Sequence, residues 1–385
     1  MNHRKALIAL ALGTFALGVA EFGMMGVLGD VARGVDVSIV KAGHLISIYS
    51  AGVACGSPAL VLLHRMPLRR LMILLAAMIL LGNLLAAISV DFTMLLCSRF
   101  ISGLPHGAYF GAGAIVCSRL AAKGHGAAAV AVMIGGMTVA NLAGVPLATL
   151  AANLAGWRYP FAIVAFMAAL ALACLCRWLP SIEPLPDTGI KGQFAFLRSS
   201  APWLIYGGVF FGQASVYCWL SYIEPIMTRV TGFSGAAMTY VMVIVGLGMV
   251  AGNAVAGRLA DRHSVSVVCG LLAAAMAIVM PAIYLLDAFK IPSLLLAFMA
   301  SFGLFGIGGP LQYLIVRFAK GGEMLGGAGI QIAFNVSNAV SAWIGGVAIG
   351  AGWGLSSPAL VGVPFALAGT TFLWLLHRRY GHEGA

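Results

Sequence analysis

Twelve predominantly apolar windows of about twenty residues or more follow one another along the chain, at 6–28, 43–63, 70–89, 93–117, 127–152, 159–179, 203–224, 236–257, 265–286, 292–316, 323–350 and 356–376. That length is what a helix needs to cross the hydrocarbon of a bilayer, so the sequence predicts an all-α membrane protein of twelve transmembrane helices. Composition requires the same solvent. With 61% apolar residues, 9% charged residues and a mean hydropathy of +1.01, the chain carries more apolar surface than a soluble core can hide.

The net charge of +11 does not mark a nucleic-acid binder, because the basic residues are scattered between the apolar windows and form no stripe. Their sidedness explains them. With the N-terminus placed in the cytoplasm, 16 of the 22 Lys and Arg fall in cytoplasmic loops and 5 in the opposite ones. The positive-inside rule therefore predicts cytoplasmic N- and C-termini, with lipid as the surrounding partner. Arg4 and Lys5 before the first window resemble a signal-peptide n-region, but the run is long and contains Glu21, which favours a retained first span. The seven cysteines all lie within apolar runs without a C-x-x-C pair, so neither a disulfide framework nor a metal site is expected.

One long polar connection, from Arg177 to Ala201, separates the windows six and six. It predicts an N-terminal bundle over 1–179, a linker over 180–202 and a C-terminal bundle over 203–385. A faint repeat relates the halves: Gly56 and Gly252 near the ends of spans two and eight, and Asn141 and Asn338 in spans five and eleven, are offset by nearly the same number of residues. Two pseudo-symmetric six-helix bundles with a small-molecule site between them is a transporter plan.

Glu21 is the one acid inside the first window. An ionised carboxylate in hydrocarbon costs several kcal/mol, so a chain keeps one there where a cavity, a partner or a proton relieves it. A functional acid and an acid merely wetted near a helix end both fit this position. Span four stacks Arg99, Gly103, His106, Phe110 and Gly113 on one helix face. Arg99 keeps its charge and needs an anion or carbonyls, unless it snorkels to the interface. His106 suits proton relay or hydrogen bonding to a solute, or serves as a packing residue. Span eleven stacks Gln331, Asn335, Asn338 and Ala342, and span seven stacks Phe210, Gln213, Tyr217, Leu220 and Glu224. With Gln312 of span ten and Asn141 of span five, these amides and aromatics suit a neutral or hydroxylated solute, or equally interhelical hydrogen bonds.

The stretches LALGTFALGVAEFGMMGVLGDVA, SRFISGLPHGAYFGAGAIV, GGMTVANLAGVPLAT followed by GWRYPF, and KGGEMLGGAGIQIAFNVSNAV carry a further signal. Through them the chain resembles the major facilitator superfamily, in its twelve-span drug:proton antiporter branch and its arabinose-efflux permease type. The resemblance implies proton-coupled export of a sugar-like compound or drug across a bacterial inner membrane by a monomer, without cofactor. It makes Glu21, Arg99 and His106 the proton-coupling set, with Arg99 lowering the proton affinity of Glu21 in one conformation. Gly144 and Pro146 resemble an antiporter signature in span five, although Val145 separates the usual Gly-Pro pair, and ordinary small-residue helix packing accounts for them equally. After span two the family's loop acid is replaced by His64, followed by Arg65. The second copy keeps Asp261 and Arg262, so Arg65, Asp261 and Arg262 form the implied cytoplasmic gate, or serve only as loop charges that set topology. A facilitator or an uptake symporter of the same fold is the alternative. A membrane-embedded enzyme is disfavoured by the lack of His-Glu-x-x-His, Gly-x-Ser-x-Gly and paired intramembrane acids, an ATP-driven pump by lysines none of which precedes Ser or Thr, and a structural or receptor role by the deep acid beside a deep arginine, which it leaves unexplained.

Overall fold

The structure, a computed structural model, describes residues 3–57, 63, 66–121, 126–182, 194–260, 262–319 and 323–381. The described residues form twelve spans. Span one is His3–Phe22, span two Ile39–Gly56, span three Leu68–Ala87, and span four Phe92–Gly103 plus Pro105–Leu120. Span five is Gly126–Val139 plus Val145–Ala155, span six Tyr159–Trp178, span seven Ser200–Leu220 and span eight Met238–Ala260. Spans nine to twelve are Val265–Leu286, Lys290–Phe318, Glu323–Gly350 and Ser357–Tyr380. Eleven of these segments are long and apolar enough to cross a bilayer; span seven has the length, but Gly, Ser, aromatic residues and Gln213 dilute its hydropathy.

Local chemistry sets the boundaries. Ser38 and Asp91 cap spans two and four, their side-chain oxygens accepting the Lys41 and Met94 backbone N–H at 3.2 and 2.8 Å. Span four bends at Leu104 because Pro105 has no N–H to continue the ladder. Span five opens into a π turn over Ala140–Gly144, directly before Pro146, where the missing N–H makes an ordinary turn unfavourable. Two windows are corrected. The run at 6–28 is a helix to Phe22, a 3-10 turn over Gly23–Gly26, then a separate short helix Leu28–Gly34. Span seven stops at Leu220, so Glu224 belongs to a second short helix, Ile223–Arg229, and leaves the face that holds Gln213 and Tyr217.

Within the first half, span one packs on spans five and six, two on four, three on four and six. Shifting every number by six reproduces the second half, where seven packs on eleven and twelve, eight on ten, nine on ten and twelve. The faint glycine repeat has its cause here. A side chain on Gly56 would run into the Leu104 carbonyl of span four, and one on Gly252 into the Phe302 carbonyl of span ten, so each half needs hydrogen alone at its equivalent crossing.

The halves meet along spans two and eleven and along spans five and eight, themselves related by the same shift. At the end remote from both termini, here the far end, one continuous apolar core joins them: Phe22, Met25, Leu28 and Leu45 of the first half pack with Trp219, Tyr222, Ile223 and Met242 of the second. Toward the termini each half has its own core, around Leu10, Leu71 and Leu175 in one and Ile205, Ile307 and Leu373 in the other. Among the described residues, three hydrogen bonds cross the seam. The Gly29 N–H donates to Glu224 Oε2 at 2.6 Å, the Asn153 amide to the Gly235 carbonyl at 2.8 Å, and Ser47 Oγ to the Ala339 carbonyl at 2.9 Å.

Candidate functional site

Glu21 sits in the last turn of span one, where the helix tightens before Gly23, and is 1% exposed. Neither carboxyl oxygen completes a hydrogen bond. A buried acid without a partner is a costly arrangement, and it marks a place where a proton, water or solute supplies the missing contact. Around it stand residues of both halves. His106 Nε2 lies 3.8 Å from Oε2, and Asn338 of span eleven turns its amide toward the carboxyl. Arg99, Tyr49 and Tyr217 are within electrostatic reach.

Arg99 is fully buried, which removes the snorkelling alternative. It does not pair directly with Glu21. Its Nη1 donates to the Ala20 carbonyl at 2.8 Å and its Nε to the Leu45 carbonyl at 3.3 Å, while the guanidinium lies 4.2 Å over the Tyr49 ring. Ala20 is in the last turn of its helix, where carbonyls lack intrahelical donors and are free to accept. The planar, multiply donating guanidinium suits this combination of carbonyls and ring. One nitrogen, Nη2, keeps no partner. His106 stacks on Phe110 with ring centroids 5.3 Å apart and bonds through Nδ1 to the Tyr49 hydroxyl at 2.8 Å.

Tyr217 closes the second-half side of this cluster. Its ring stacks against Phe22 at 6.5 Å and meets Phe334 edge-on at 5.5 Å, and its hydroxyl has no partner. Phe22 also contacts Phe305 of span ten at 5.6 Å, so residues next to Glu21 reach two spans of the other half. The amides divide their two ends. Gln213 Nε2 donates to the Leu304 carbonyl at 3.2 Å and Asn335 Nδ2 to the Gln331 carbonyl at 3.0 Å, leaving both side-chain oxygens unpartnered. Because a backbone carbonyl only accepts, the nitrogens are fixed as the bonded ends, and what remains free is acceptor. Asn141 and Gln312 likewise leave their oxygens unpartnered, and Asn338 both atoms.

The remaining candidates fall elsewhere. Gln331 is half-buried, and its backbone carbonyl accepts from Asn335 Nδ2. Gly144 fits against Val19 and Phe15 of span one, and the π turn it ends presents the Asn141 carbonyl to Gly246 of span eight, at the crossing between the halves. Arg262 is exposed at the end of span eight; Arg65 and Asp261 lie outside the described residues. Tyr49 and Glu224 are the residues the sequence pattern did not single out as functional. Tyr49 sits in an apolar helix where tyrosine is ordinary, and the amide of Gly29, which Glu224 meets, has no sequence signature.

A twelve-span bundle of two equivalent halves, with a buried acid at their junction, is the architecture of a membrane transporter. The chain belongs to the Major Facilitator Superfamily, which matches residues 10–326. It is 42% identical to "Putative transporter AraJ" of Escherichia coli strain K12, over 99% of this chain and 97% of that one. It is 35% identical to "Inner membrane transport protein YdhP" of Escherichia coli O157:H7, over 94% and 93%. Among solved structures it resembles a bacterial homolog of the human lysosomal transporter Spinster in an inward-facing, unoccupied conformation, with a TM-score of 0.76 at 16% identity over 100% and 98% of the two chains. A D-xylose-proton symporter aligns with a TM-score of 0.76 at 16% identity over 96% and 97%. These two share the fold. The protein is a multi-pass membrane transporter of this superfamily.

Proposed function

We propose that the protein is a secondary active exporter that moves a small neutral or weakly charged solute out of the cytoplasm as protons enter, by alternating access, with Glu21 as the proton carrier. The observation that carries this is the fully buried Glu21 carboxyl, unpartnered, facing His106 from its own half and Asn338 from the other. Such an acid responds to both the proton and the relative position of the halves, which is what coupling requires. Arg99 acts by holding the Ala20 and Leu45 carbonyls in place beside the acid and by its field.

The free oxygens of Gln213, Asn335, Asn141 and Gln312 favour a solute rich in hydrogen-bond donors, such as a hydroxylated sugar-like compound, with aromatic Tyr217 and Phe22 beside it. The bundles 1–179 and 203–385 rock as units about the linker, using the span five and span eight crossing at Gly144, Pro146 and Gly246. Arg262 with Asp261 and Arg65 gates the cytoplasmic side, the far end being periplasmic, and a monomer suffices.

Counterflow of candidate sugars and antibiotics into proteoliposomes, with an internal pH dye, tests this reading. Adding substrate is expected to move protons, and Glu21→Gln is expected to keep substrate binding while losing accumulation against a gradient. Gradient-driven accumulation by Glu21→Gln removes Glu21 from the mechanism; solute flux without proton movement makes the protein a facilitator.

A further inference from the structure

We propose that Tyr49 is a positioning residue whose hydroxyl, by turning, lets His106 exchange tautomers as Glu21 gains or loses its proton. The inference rests on the proposed role of Glu21 as a proton carrier. Three observations carry it. The Tyr49 hydroxyl is 2.8 Å from His106 Nδ1, and the opposite ring nitrogen is 3.8 Å from Glu21 Oε2, so the imidazole stands between a phenol and an acid. The Tyr49 ring is fixed by the Arg99 guanidinium 4.2 Å above it and by the edge-on His106 ring at 6.0 Å. All four side chains are buried, so water does not supply the missing partners cheaply.

A neutral imidazole has one donor and one acceptor nitrogen, and which is which is set by what the other nitrogen meets. When Glu21 is ionised, the proton belongs on Nε2, facing the carboxylate, and Nδ1 then accepts from the Tyr49 O–H. When Glu21 carries a proton, its O–H donates to Nε2, the imidazole proton sits on Nδ1, and the Tyr49 oxygen accepts it. A hydroxyl satisfies both arrangements by rotating about its C–O bond, whereas an amide or a carbonyl satisfies only one. The exchange keeps His106 neutral throughout, so no second charge is buried beside Arg99. Among the described residues, the ionisable or polar groups facing this site include Glu21 from span one, Tyr49 from span two, Arg99 from span four, Tyr217 from span seven and Asn338 from span eleven.

The test is solid-state NMR of the full-length protein in bilayers, with ¹⁵N-labelled histidine and the His106 signals assigned by their loss in His106→Asn. Across a pH titration the unmutated protein is expected to move its His106 proton from Nδ1 to Nε2 as pH rises, without imidazolium. Glu21→Gln is expected to abolish that exchange, and Tyr49→Phe, which keeps the ring under Arg99, to leave a mixture of tautomers at every pH. A single unchanging tautomer in the unmutated protein, or an intact exchange in Tyr49→Phe, overturns the proposal. Should Tyr49→Phe fail to fold, the unmutated and Glu21→Gln spectra still decide. Transport is read separately: accumulation retained by Glu21→Gln together with a tautomer exchange defeats the proton-carrier reading and leaves the role of Tyr49 standing.

Discussion

Replacing Glu224 by glutamine is expected to close the far end more firmly, opposite to what removal of a simple latch would do. Glu224 accepts the Gly29 N–H at 2.6 Å across the seam. A hydrogen bond to a charged group contributes about 1.5–3 kcal/mol, and a neutral amide oxygen in its place about 0.5–1.5 kcal/mol, so the exchange gives up roughly 1 kcal/mol. Against this stands the burial of the charge itself, which costs several kcal/mol per ion in real proteins. Burial is the larger influence. It pushes the Glu224 carboxyl above its usual range against the Gly29 N–H, while Asp30 pushes the same way and Arg33 and Arg229 pull it down. Arg33 is largely exposed and pairs with Asp30, so its pull is weak.

The sign follows by linkage. A carboxyl that holds its proton more tightly when the seam is closed than when water reaches it favours closure at low pH, and that advantage is lost as pH rises through the elevated value. Each ~1.4 kcal/mol by which the cost of burying the charge exceeds the extra strength of its hydrogen bond is tenfold in the ratio of closed to open. Glu224→Gln is therefore expected to raise that ratio severalfold near neutral pH and to erase its dependence on pH. Gly29→Ala is expected to do the reverse, because the added Cβ would occupy the space of the Glu224 carboxyl. Spin labels at Val90→Cys and Trp353→Cys, both exposed at the far end, report the separation of the halves once the exposed Cys55, Cys97 and Cys176 are replaced by serine. A wider far end in Glu224→Gln, or a pH dependence that survives it, refutes this reasoning.

Two further substitutions probe the rest of the junction. Arg99→Lys keeps the charge but not the planar set of donors shared between the Ala20 and Leu45 carbonyls, and is expected to lower stability by about 1–3 kcal/mol in a thermal-shift assay and to abolish coupled transport. Gly246→Ala drives a methyl into the Asn141 carbonyl where spans five and eight cross. Overpacking of this kind costs about 1–3 kcal/mol and is expected to shift the same spin-label distances toward an open far end.

Much of this was legible in the residues because the bilayer makes charge conspicuous. Glu21, Arg99 and His106 stand out in apolar windows, and the structure gathers them at one place, though through His106 and backbone carbonyls rather than by a direct Glu21–Arg99 pair. The glycine echo was visible as a spacing; its cause, two equivalent contacts with a carbonyl, needed coordinates. Tyr49 was hidden because only its distance from His106 distinguishes it from a packing tyrosine. Glu224 was misplaced on the face of span seven because helical periodicity continues on paper past Leu220, where the chain turns into Ile223–Arg229. The π turn before Pro146 has the same origin: proline announces a disturbance without saying which widening of the helix absorbs it.

The single apolar core that unites the halves at the far end has a thermal consequence. Admitting water there hydrates side chains such as Met25, Leu28, Tyr222 and Met242, and apolar hydration raises heat capacity. The balance between the two access states is then curved in temperature, and since hydrophobic cohesion weakens on cooling, a chilled sample should populate the form with its far end parted more than a warm one does.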